Sequence, residues 1–208
     1  MTILPYLKNQ WPITSLIGSS GCGKTTLCKK ICALDPVYQR SISHTDRHPR
    51  NTEQEAVDYY YITKEEFLRK IKNHEFLEHN PDYATHHYGT SKREISCISR
   101  KGRTPILDID YRGAEQLFHF YSGTEVPLYQ VAILSPIELL RKRLLDRGDL
   151  TIEQIDTRLK RYVEEELPFI EAHTGAADIF KKVYENNGIT ILDLLANQIY
   201  NDAKAYKF

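Results

Sequence analysis

The chain has 208 residues, and its 28 Lys and Arg balance 28 Asp and Glu, so the formal net charge is zero. A compact domain of this length buries about 70% of its unfolded surface, so its core needs no disulfide or metal. Neutrality excludes a broad basic surface for nucleic acid, and no run approaches the roughly 18 apolar residues of a membrane span. Because the start lacks a secretory signal pattern, we expect a cytoplasmic protein that binds neither nucleic acid nor membrane.

The first predicted strand is the apolar run 13–17, which leads into a glycine-rich turn and a helix over 24–34. A short second strand is predicted over 41–45. Thr63 and Ser91 each precede a glutamate by three residues, the capping-box pattern that opens a helix. The remaining predicted elements, in chain order, are a strand over 75–78, a loop over 80–88, strands over 104–110 and 128–134, a helix capped by 135–138, an interruption over 147–152, a helix over 153–172, a strand over 178–184 and a helix over 190–204.

Strands that alternate with helices in this way predict an α/β fold, in which helices cover both faces of a mostly parallel sheet. The stretch from about 43 to 92 is more polar and richer in tyrosine than the rest of the chain. We interpret this stretch as an insertion that binds a ligand.

Residues 18–25 fit the phosphate-binding pattern G-x-x-x-x-G-K-[ST] between a predicted strand and a helix N-terminus. The glycines let successive backbone N–H groups surround a phosphate, and the helix dipole favours the anion. Lys24 is predicted to reach the β- and γ-phosphates of a nucleoside triphosphate, and the Thr25 hydroxyl to bind Mg²⁺. A glycine-rich turn without a ligand is the alternative. The residues predicted to bind the nucleoside triphosphate, which the resemblance described below identifies as ATP, are Gly18, Ser19, Ser20, Gly21, Cys22, Gly23, Lys24, Thr25 and Thr26.

Asp108 and Asp110 end an apolar strand, the position where a P-loop fold brings a carboxylate to Mg²⁺ or to a ligand. A buried carboxylate pair needs a metal, an arginine or a ligand as its partner. Asp108 is therefore predicted to bind Mg²⁺ together with Thr25, directly or through water. A helix cap formed by Asp110 is the alternative for that residue.

The segment 141–161 carries seven Lys and Arg against four acidic residues. Arg143, Arg147 and Arg158 flank the break predicted over 148–152. Guanidinium groups on a closing flap suit the charge of a transferring phosphoryl group, because each offers forked donors. By charge pattern alone, the same run also fits a solvated helix face.

Seven blocks in sequence order, spread over roughly residues 12–200, resemble the guanylate kinase family. The blocks are the phosphate-binding loop, S-I-S-H-T-D-R-H-P-R (41–50), V-D-Y-Y-Y-I (57–62), E-F-L-E (75–78), H-Y-G-T (87–90), I-L-D-I-D-Y-R-G (106–113) and R-K-R-L-L-D-R-G (141–148). The resemblance implies a P-loop NTPase fold that transfers the γ-phosphoryl group of ATP to GMP with Mg²⁺. It further implies a core (1–42, 93–143 and 159–208), a GMP-binding insertion (43–92) and a lid (144–158).

Carried over position by position, the resemblance also implies the site residues. The residues implied for the GMP phosphate are Arg47, Arg50, Tyr59 and Tyr88, those for the guanine base are Ser43, Glu78, Thr90 and Asp110, and the catalytic cations are Lys24, Arg143, Arg147 and Arg158. A carboxylate such as Glu78 accepts hydrogen bonds from guanine N1–H and N2–H₂, which adenine cannot offer in that form. A site built for those donors rejects a base that lacks them.

At two places the sequence departs from the family, and these departures leave the identity of the phosphoryl acceptor undecided. Asp46 stands where the family usually has a threonine, so either its carboxylate points away from the phosphate pocket or the pocket is altered. The turn over 51–57 lacks the family's glycine. One alternative is therefore a related kinase for another phosphorylated acceptor, such as a ribose bisphosphate, although Glu78 and Asp110 count against it. A non-catalytic binding module is the second alternative, and Lys24 counts against it.

Cysteines and histidines do not have the spacing of a metal site. The four cysteines, at 22, 28, 32 and 97, match neither a zinc site nor a disulfide framework and are predicted to be reduced thiols. Six histidines cluster in the insertion, and we interpret them as polar loop residues. They are His44, His48, His74, His79, His86 and His87.

Overall fold

The computed structural model describes residues 11–80 and 86–206. The strands in that part are β1 Ile13–Ile17, β2 Tyr38–Arg40, β3 Ser43–Thr45, β4 Tyr59–Tyr61, β5 Phe76–Asn80, β6 Tyr88–Ser91, β7 Thr104–Ile109, β8 Leu128–Leu134 and β9 Lys182–Glu185. The α-helices are α1 Lys24–Leu34, α2 Lys64–Lys72, α3 Lys92–Arg100, α4 Tyr111–Tyr121, α5 Ile137–Arg147, α6 Ile152–Arg161, α7 Leu167–Ala172 and α8 Leu192–Ala205.

A five-stranded parallel sheet of order β2-β7-β1-β8-β9 forms the centre of the molecule. Every residue of β1 is buried, because helices cover the sheet on both faces. Alternation along the strand sends Leu16 into one hydrophobic cluster with α1 and α8, and Ile17 into another with α4. The predicted α/β class is confirmed. The carboxyl ends of β1 and β7 lie side by side, with Ile17 opposite Ile109.

A second sheet of order β4-β3-β6-β5 is built from residues 43–91 alone. Its strands β3 and β6 are antiparallel, as are β5 and β6, whereas β3 and β4 are parallel. This sheet is made from the stretch predicted to be a ligand-binding insertion. Because β5 contacts α4, the sheet stands against the carboxyl edge of the central one.

Local sequence signals predicted several helix ends. The Thr63 hydroxyl accepts the backbone N–H of Glu66 at 3.1 Å, and the Ser91 hydroxyl accepts that of Glu94 at 3.2 Å. The helix predicted after the cap 135–138 is present as α5, but it begins after Pro136 without a side-chain cap. The Ser135 hydroxyl instead donates to the Asn186 carbonyl at 2.8 Å, a contact over 51 residues of sequence.

The structure also corrects two predicted elements and contains strands that were not predicted. The single helix expected over 153–172 is divided into α6, a π-helical turn at Tyr162–Glu166 and α7, which has a proline in its first turn. The strand expected over 178–184 is shorter and later, at β9. The strands β2, β4 and β6 were not predicted, because runs of three or four residues carry no clear period.

The prediction that the six histidines are polar loop residues is wrong for three of them, because His79 lies in β5 and two others are buried. His44 lies in β3 and is buried against Tyr60 and Phe76, and His87 is also buried. Burial lowers the pKa of His44 to about 4, so this ring is neutral at physiological pH. The cysteines are free thiols, two of them buried.

Some predictions concern residues outside the described ranges. Residues 1–10 and 207–208 of the predicted core, and 81–85 of the predicted loop before β6, lie there. None of the helices within 11–80 and 86–206 is long and apolar enough to cross a membrane.

Candidate active site

A cleft of about 570 Å³ opens where the carboxyl ends of β1 and β7 face the second sheet. Most residues that the sequence singled out line it. They are Gly18, Ser20, Gly21, Gly23, Lys24, Thr25, Thr26, Ser43, Arg50, Tyr59, Glu78, Tyr88, Asp108, Asp110, Arg143, Arg147 and Arg158. Four others, Ser19, Cys22, Arg47 and Thr90, do not line it.

The phosphate-binding loop joins β1 to α1 at one end of the cleft. Its backbone turns through positive φ at Gly23, where a Cβ atom would lie 2.6 Å from Asn186 Nδ2. That amide donates to the Cys22 carbonyl at 2.7 Å and so supports the loop from behind. Asn186 was not predicted from the sequence, although its place directly after β9 at the carboxyl edge of the sheet is a usable signal.

Lys24 begins α1 and folds back over the loop. Its Nζ donates to the Gly18 carbonyl at 2.5 Å and to the Ser19 carbonyl at 3.1 Å. The ammonium group is thereby held at the mouth of the loop, beside the N-terminus of α1. The backbone amides, the helix dipole and this cation make an anion-binding site.

Thr25 and Asp108 meet beside the loop. Thr25 Oγ1 donates to Asp108 Oδ2 at 2.6 Å, and Arg40 Nη1 lies 3.7 Å from Asp108 Oδ1. Arg40 was missed by the sequence analysis because it lies on the unpredicted strand β2. A hydroxyl and a carboxylate oxygen this close are the hard donors that Mg²⁺ prefers, so the side chains fit the predicted metal.

The opposite end of the cleft carries two carboxylates. Glu78 on β5 is 4% exposed, and its Oε1 accepts the backbone N–H of Thr90 at 2.8 Å. Asp110 caps α4 by accepting the Gly113 N–H at 2.8 Å, and its other oxygen accepts from the Asn80 amide. The alternative that Asp110 caps a helix is therefore observed, and the same residue still lines the cleft.

Burial raises the pKa of Glu78 to about 7, and the nearby Asp110 carboxylate adds to the effect although hydrogen bonds from Thr90 oppose it. Glu78 packs so closely against α4 that a Cβ on Gly113 would lie 2.6 Å from its Oε2. A glycine is thus required at position 113, because β5 and α4 approach each other too closely there for a side chain. Ser43 and Thr90 share a hydrogen bond of 3.1 Å beside the carboxylate.

A cluster of arginines and tyrosines lies between the two ends. Arg47 Nε donates to the Tyr88 hydroxyl at 3.2 Å, and its guanidinium lies 5.5 Å from the centre of the Tyr59 ring. Glu53 was not predicted, yet it accepts from Arg47 Nη2 at 2.8 Å and from Arg50 Nη1 at 2.7 Å. Burial raises the pKa of Glu53, but its hydrogen bonds to Arg50 and Arg47 outweigh this and hold the pKa at about 2.

Asp46 does not point at this arginine cluster. Its carboxylate is 5% exposed and bonds to His87. Of the two options that the sequence left for Asp46, the structure therefore supports the one in which the carboxylate points away.

Three arginines of the segment 141–161 reach the phosphate-binding loop. Arg143 Nη1 donates to the Gly21 carbonyl at 2.9 Å, while Arg147 and Arg158 each donate to the Ser20 hydroxyl at 3.4 Å. Arg141 faces outward and pairs with Asp156. The segment therefore combines a cleft-facing row of cations with a salt-bridged outer face.

Comparison with known proteins places the chain in a family. The family model described as guanylate kinase matches residues 12–189. A guanylate kinase of Fusobacterium nucleatum is 39% identical over 148 residues, 71% of this chain and 77% of that protein. One of Porphyromonas gingivalis is 35% identical over 172 residues, 82% and 86% of the two chains. The crystal structure of guanylate kinase from Anaplasma phagocytophilum has a TM-score of 0.68 and 28% identity, covering 94% of this chain and 85% of that one. The chain therefore belongs to the guanylate kinase family, the ATP:GMP phosphotransferases.

Proposed function

We propose that this cleft transfers the γ-phosphoryl group of ATP to GMP, giving ADP and GDP, with Mg²⁺ as the cofactor. The observation that carries the proposal is the arrangement of one continuous cleft. A phosphate-binding loop lies at one end, a buried carboxylate able to accept from guanine lies at the other, and arginines lie between them. A nucleotide donor and a nucleotide acceptor can therefore bind with their phosphates facing each other.

On the donor side, the loop amides and Lys24 would bind the ATP phosphates. Thr25 and Asp108 would hold Mg²⁺, which when bound neutralises phosphate charge and orients the donor. Arg143, Arg147 and Arg158 would offset the charge that spreads over the transferring group. Their contacts with Gly21 and Ser20 support this role, because they bring the guanidinium groups to the loop.

On the acceptor side, the arginine and tyrosine cluster would bind the GMP phosphate. Glu78 would accept N1–H and N2–H₂ of guanine, with Asp110, Ser43 and Thr90 completing the polar surface around the base. Thr90 would act mainly through Ser43 and Glu78, since it is fully buried and donates its backbone N–H to the carboxylate. Asp46 was one reason to consider a different acceptor, and because its carboxylate bonds to His87, that reason no longer applies.

The transfer needs positioning and electrostatic stabilisation more than proton movement. An oxygen of the GMP phosphate is already anionic, so it can attack the γ-phosphorus without a general base. As the new P–O bond forms, the bond to the bridging oxygen breaks and ADP leaves with the electron pair. Closing the cleft aligns the two oxygens and excludes water as a competing nucleophile.

A coupled assay of ADP formation with GMP, AMP, CMP and UMP tests the proposal. We expect turnover with GMP to exceed that with the other three, and Lys24→Ala to abolish it. Lys30→Ala is the matched control, because Lys30 is on the same helix but pairs with Asp193 away from the cleft. GMP-dependent activity in Lys24→Ala equal to that in Lys30→Ala would contradict the proposed donor site.

The same assay separates the two alternatives. Turnover with a ribose bisphosphate in place of GMP would identify another acceptor. A folded protein that binds ATP but turns over none of these acceptors would instead support a binding module. Strict preference for GMP would exclude both alternatives.

A further inference from the structure

Asp149 connects two parts of the cleft that are distant in the sequence. It follows the C-cap of α5, and its side chain is 21% exposed. Oδ2 accepts from Arg50 Nε at 2.5 Å, a contact over 99 residues of sequence. Arg147 Nε and Nη2 lie 3.3 Å from the two carboxylate oxygens. One carboxylate therefore holds an arginine of the second sheet's segment and an arginine that also contacts the phosphate-binding loop.

Asp149 is held differently from Glu53, the other carboxylate in contact with Arg50. Glu53 also accepts the Arg50 backbone N–H and the Tyr61 hydroxyl, each at 2.8 Å, so it is anchored in its own segment. The hydrogen bonds that reach the Asp149 carboxylate from the described residues come from guanidinium groups. The Asp149 carboxylate can therefore move away from Arg50 without depriving a backbone N–H of its hydrogen-bond acceptor.

While Asp149 is in place, the two arginines assigned to the acceptor phosphate are matched by two carboxylates, and Arg147, which shares Asp149 with Arg50, adds a further positive charge. Arg47 and Arg50 contribute two positive charges, and Glu53 and Asp149 contribute two negative ones. A phosphate monoester carries about −1.5 to −2 charges at neutral pH and is stabilised by a net positive site. Removing Asp149 from Arg50 restores one positive charge and frees the Nε donor.

We propose that Asp149 is a specificity-determining residue, because its carboxylate occupies Arg50 until the phosphate of the acceptor displaces it. When the carboxylate leaves Arg50 it also leaves Arg147, which is then available to the transferring phosphoryl group. The inference rests on the proposed function, because it assigns phosphate binding to Arg50 and Arg147. Asp149 makes the release of Arg147 depend on a phosphate on the acceptor. It thereby disfavours the competing reaction, in which a water oxygen bonds to the γ-phosphorus, ADP leaves, and inorganic phosphate and a proton result.

The test compares the full-length wild type with Asp149→Asn, which keeps the size of the side chain and removes its charge. The matched control is Asp146→Asn, since Asp146 also lines the cleft, three residues earlier. For Asp149→Asn we expect a KM for GMP lowered about three- to tenfold, as for any competitor removed from a site. We also expect ATP hydrolysis without GMP to rise by a similar factor.

Guanosine, used as a competitive inhibitor, shows whether Asp149→Asn changes binding of the GMP phosphate alone or binding in the whole acceptor pocket. Its inhibition constant against GMP should be the same in Asp149→Asn as in the wild type, because it has no phosphate to compete with the carboxylate. Asp149→Ala should give the same direction of change.

Three results would overturn the inference. The first is a raised KM for GMP with hydrolysis unchanged, which would make Asp149 a support for the arginines. The second is an equal fall in KM in Asp146→Asn, which would make the effect one of net charge. The third is tighter guanosine binding. Absence of GMP turnover in the wild type would instead refute the proposed function itself.

Discussion

The carboxylate of Asp46 bonds to His87 instead of entering the cleft. Its Oδ1 accepts the backbone N–H of His87 at 2.7 Å, and its Oδ2 bonds to the ring Nδ1. These hydrogen bonds lower the pKa of Asp46, although burial opposes the shift. The His87 ring packs on Phe67 with the ring centres 5.2 Å apart, so the pair joins the end of β3 to the residue before β6. Arg47 and Tyr88, which follow the two residues, are thereby brought within hydrogen-bond distance.

Replacing Asp46 by Ala should lower the free energy of unfolding by about 1–3 kcal/mol, because the buried N–H of His87 loses its acceptor. Asp46→Asn keeps an acceptor oxygen and should lose less. Urea unfolding of the two variants beside the wild type measures the difference. Equal stability of the Ala and Asn variants would show that the hydrogen bond contributes nothing.

GMP affinity should depend on the ionisation of Glu78. Its pKa is about 7, and guanine N1–H and N2–H₂ need the ionised carboxylate as acceptor. GMP binding should therefore strengthen as the pH rises from 6 to 8 and level off above that. Calorimetric titration at several pH values measures the dissociation constant.

Two controls isolate Glu78 from the titration of the GMP phosphate. Guanosine, which has no phosphate, should show the same rise in affinity between pH 6 and 8. Glu78→Gln should bind more weakly and lose the dependence on pH. If guanosine binding to the wild type were independent of pH, the assignment of Glu78 to the base would be wrong.

Glu166 should make the protein less stable as the pH rises. It lies in the π-helical turn, is 2% exposed, and burial raises its pKa to about 7. The folded protein therefore keeps a proton on Glu166 at pH values where the unfolded chain has already released it. The stabilisation is complete below the ordinary pKa of a glutamate and is lost as the pH rises through 7. Between pH 6 and 8 the loss from one such group is about 1 kcal/mol.

Glu166→Gln is the test, because an amide of the same size stays neutral. Its stability relative to the wild type, from urea unfolding, should rise between pH 6 and pH 8. A difference that does not change with pH would show that Glu166 is already ionised at pH 6 in the folded protein. Glu78 shifts the wild type in the same direction and cancels in the comparison.

Ala56→Gly should stabilise the chain. Ala56 has a φ of 59°, in the left-handed region, and belongs to the turn that lacks the family's glycine. The left-handed conformation costs a side-chain-bearing residue about 1–2 kcal/mol, and the greater freedom of glycine in the unfolded chain offsets part of the gain. We expect a net gain of about 0.5 kcal/mol, measured by thermal unfolding.

Ala33→Gly is the matched control for Ala56→Gly. Ala33 is an exposed residue inside α1, where the same substitution should destabilise the helix by up to about 1 kcal/mol. Stability changes of opposite sign in the two variants would show that the backbone angle at position 56 decides the effect of the substitution. A loss of stability in both would contradict it.

The features that local sequence determined are those that depend on neighbouring residues. The bounds of β1, α1 and β8 were predicted as observed, because an apolar run, a glycine-rich turn and a periodic helix each carry their own signal. The N-caps at Thr63 and Ser91 require only a hydroxyl three residues before a free N–H. The π-helical turn was missed because α6 and α7 flank it with ordinary helical sequence.

Tertiary structure alone decided which side chains meet. The sequence placed Asp46 beside Arg47, but only the pairing of β3 with β6 directs its carboxylate to His87, 41 residues away. In the same way, only the fold packs Glu78 against α4 in a buried position, where its pKa is raised, and only the fold brings Asp149 to Arg50. Residue types and spacing record which groups can form a bond, whereas the direction of a side chain and its access to water depend on segments that are distant along the chain.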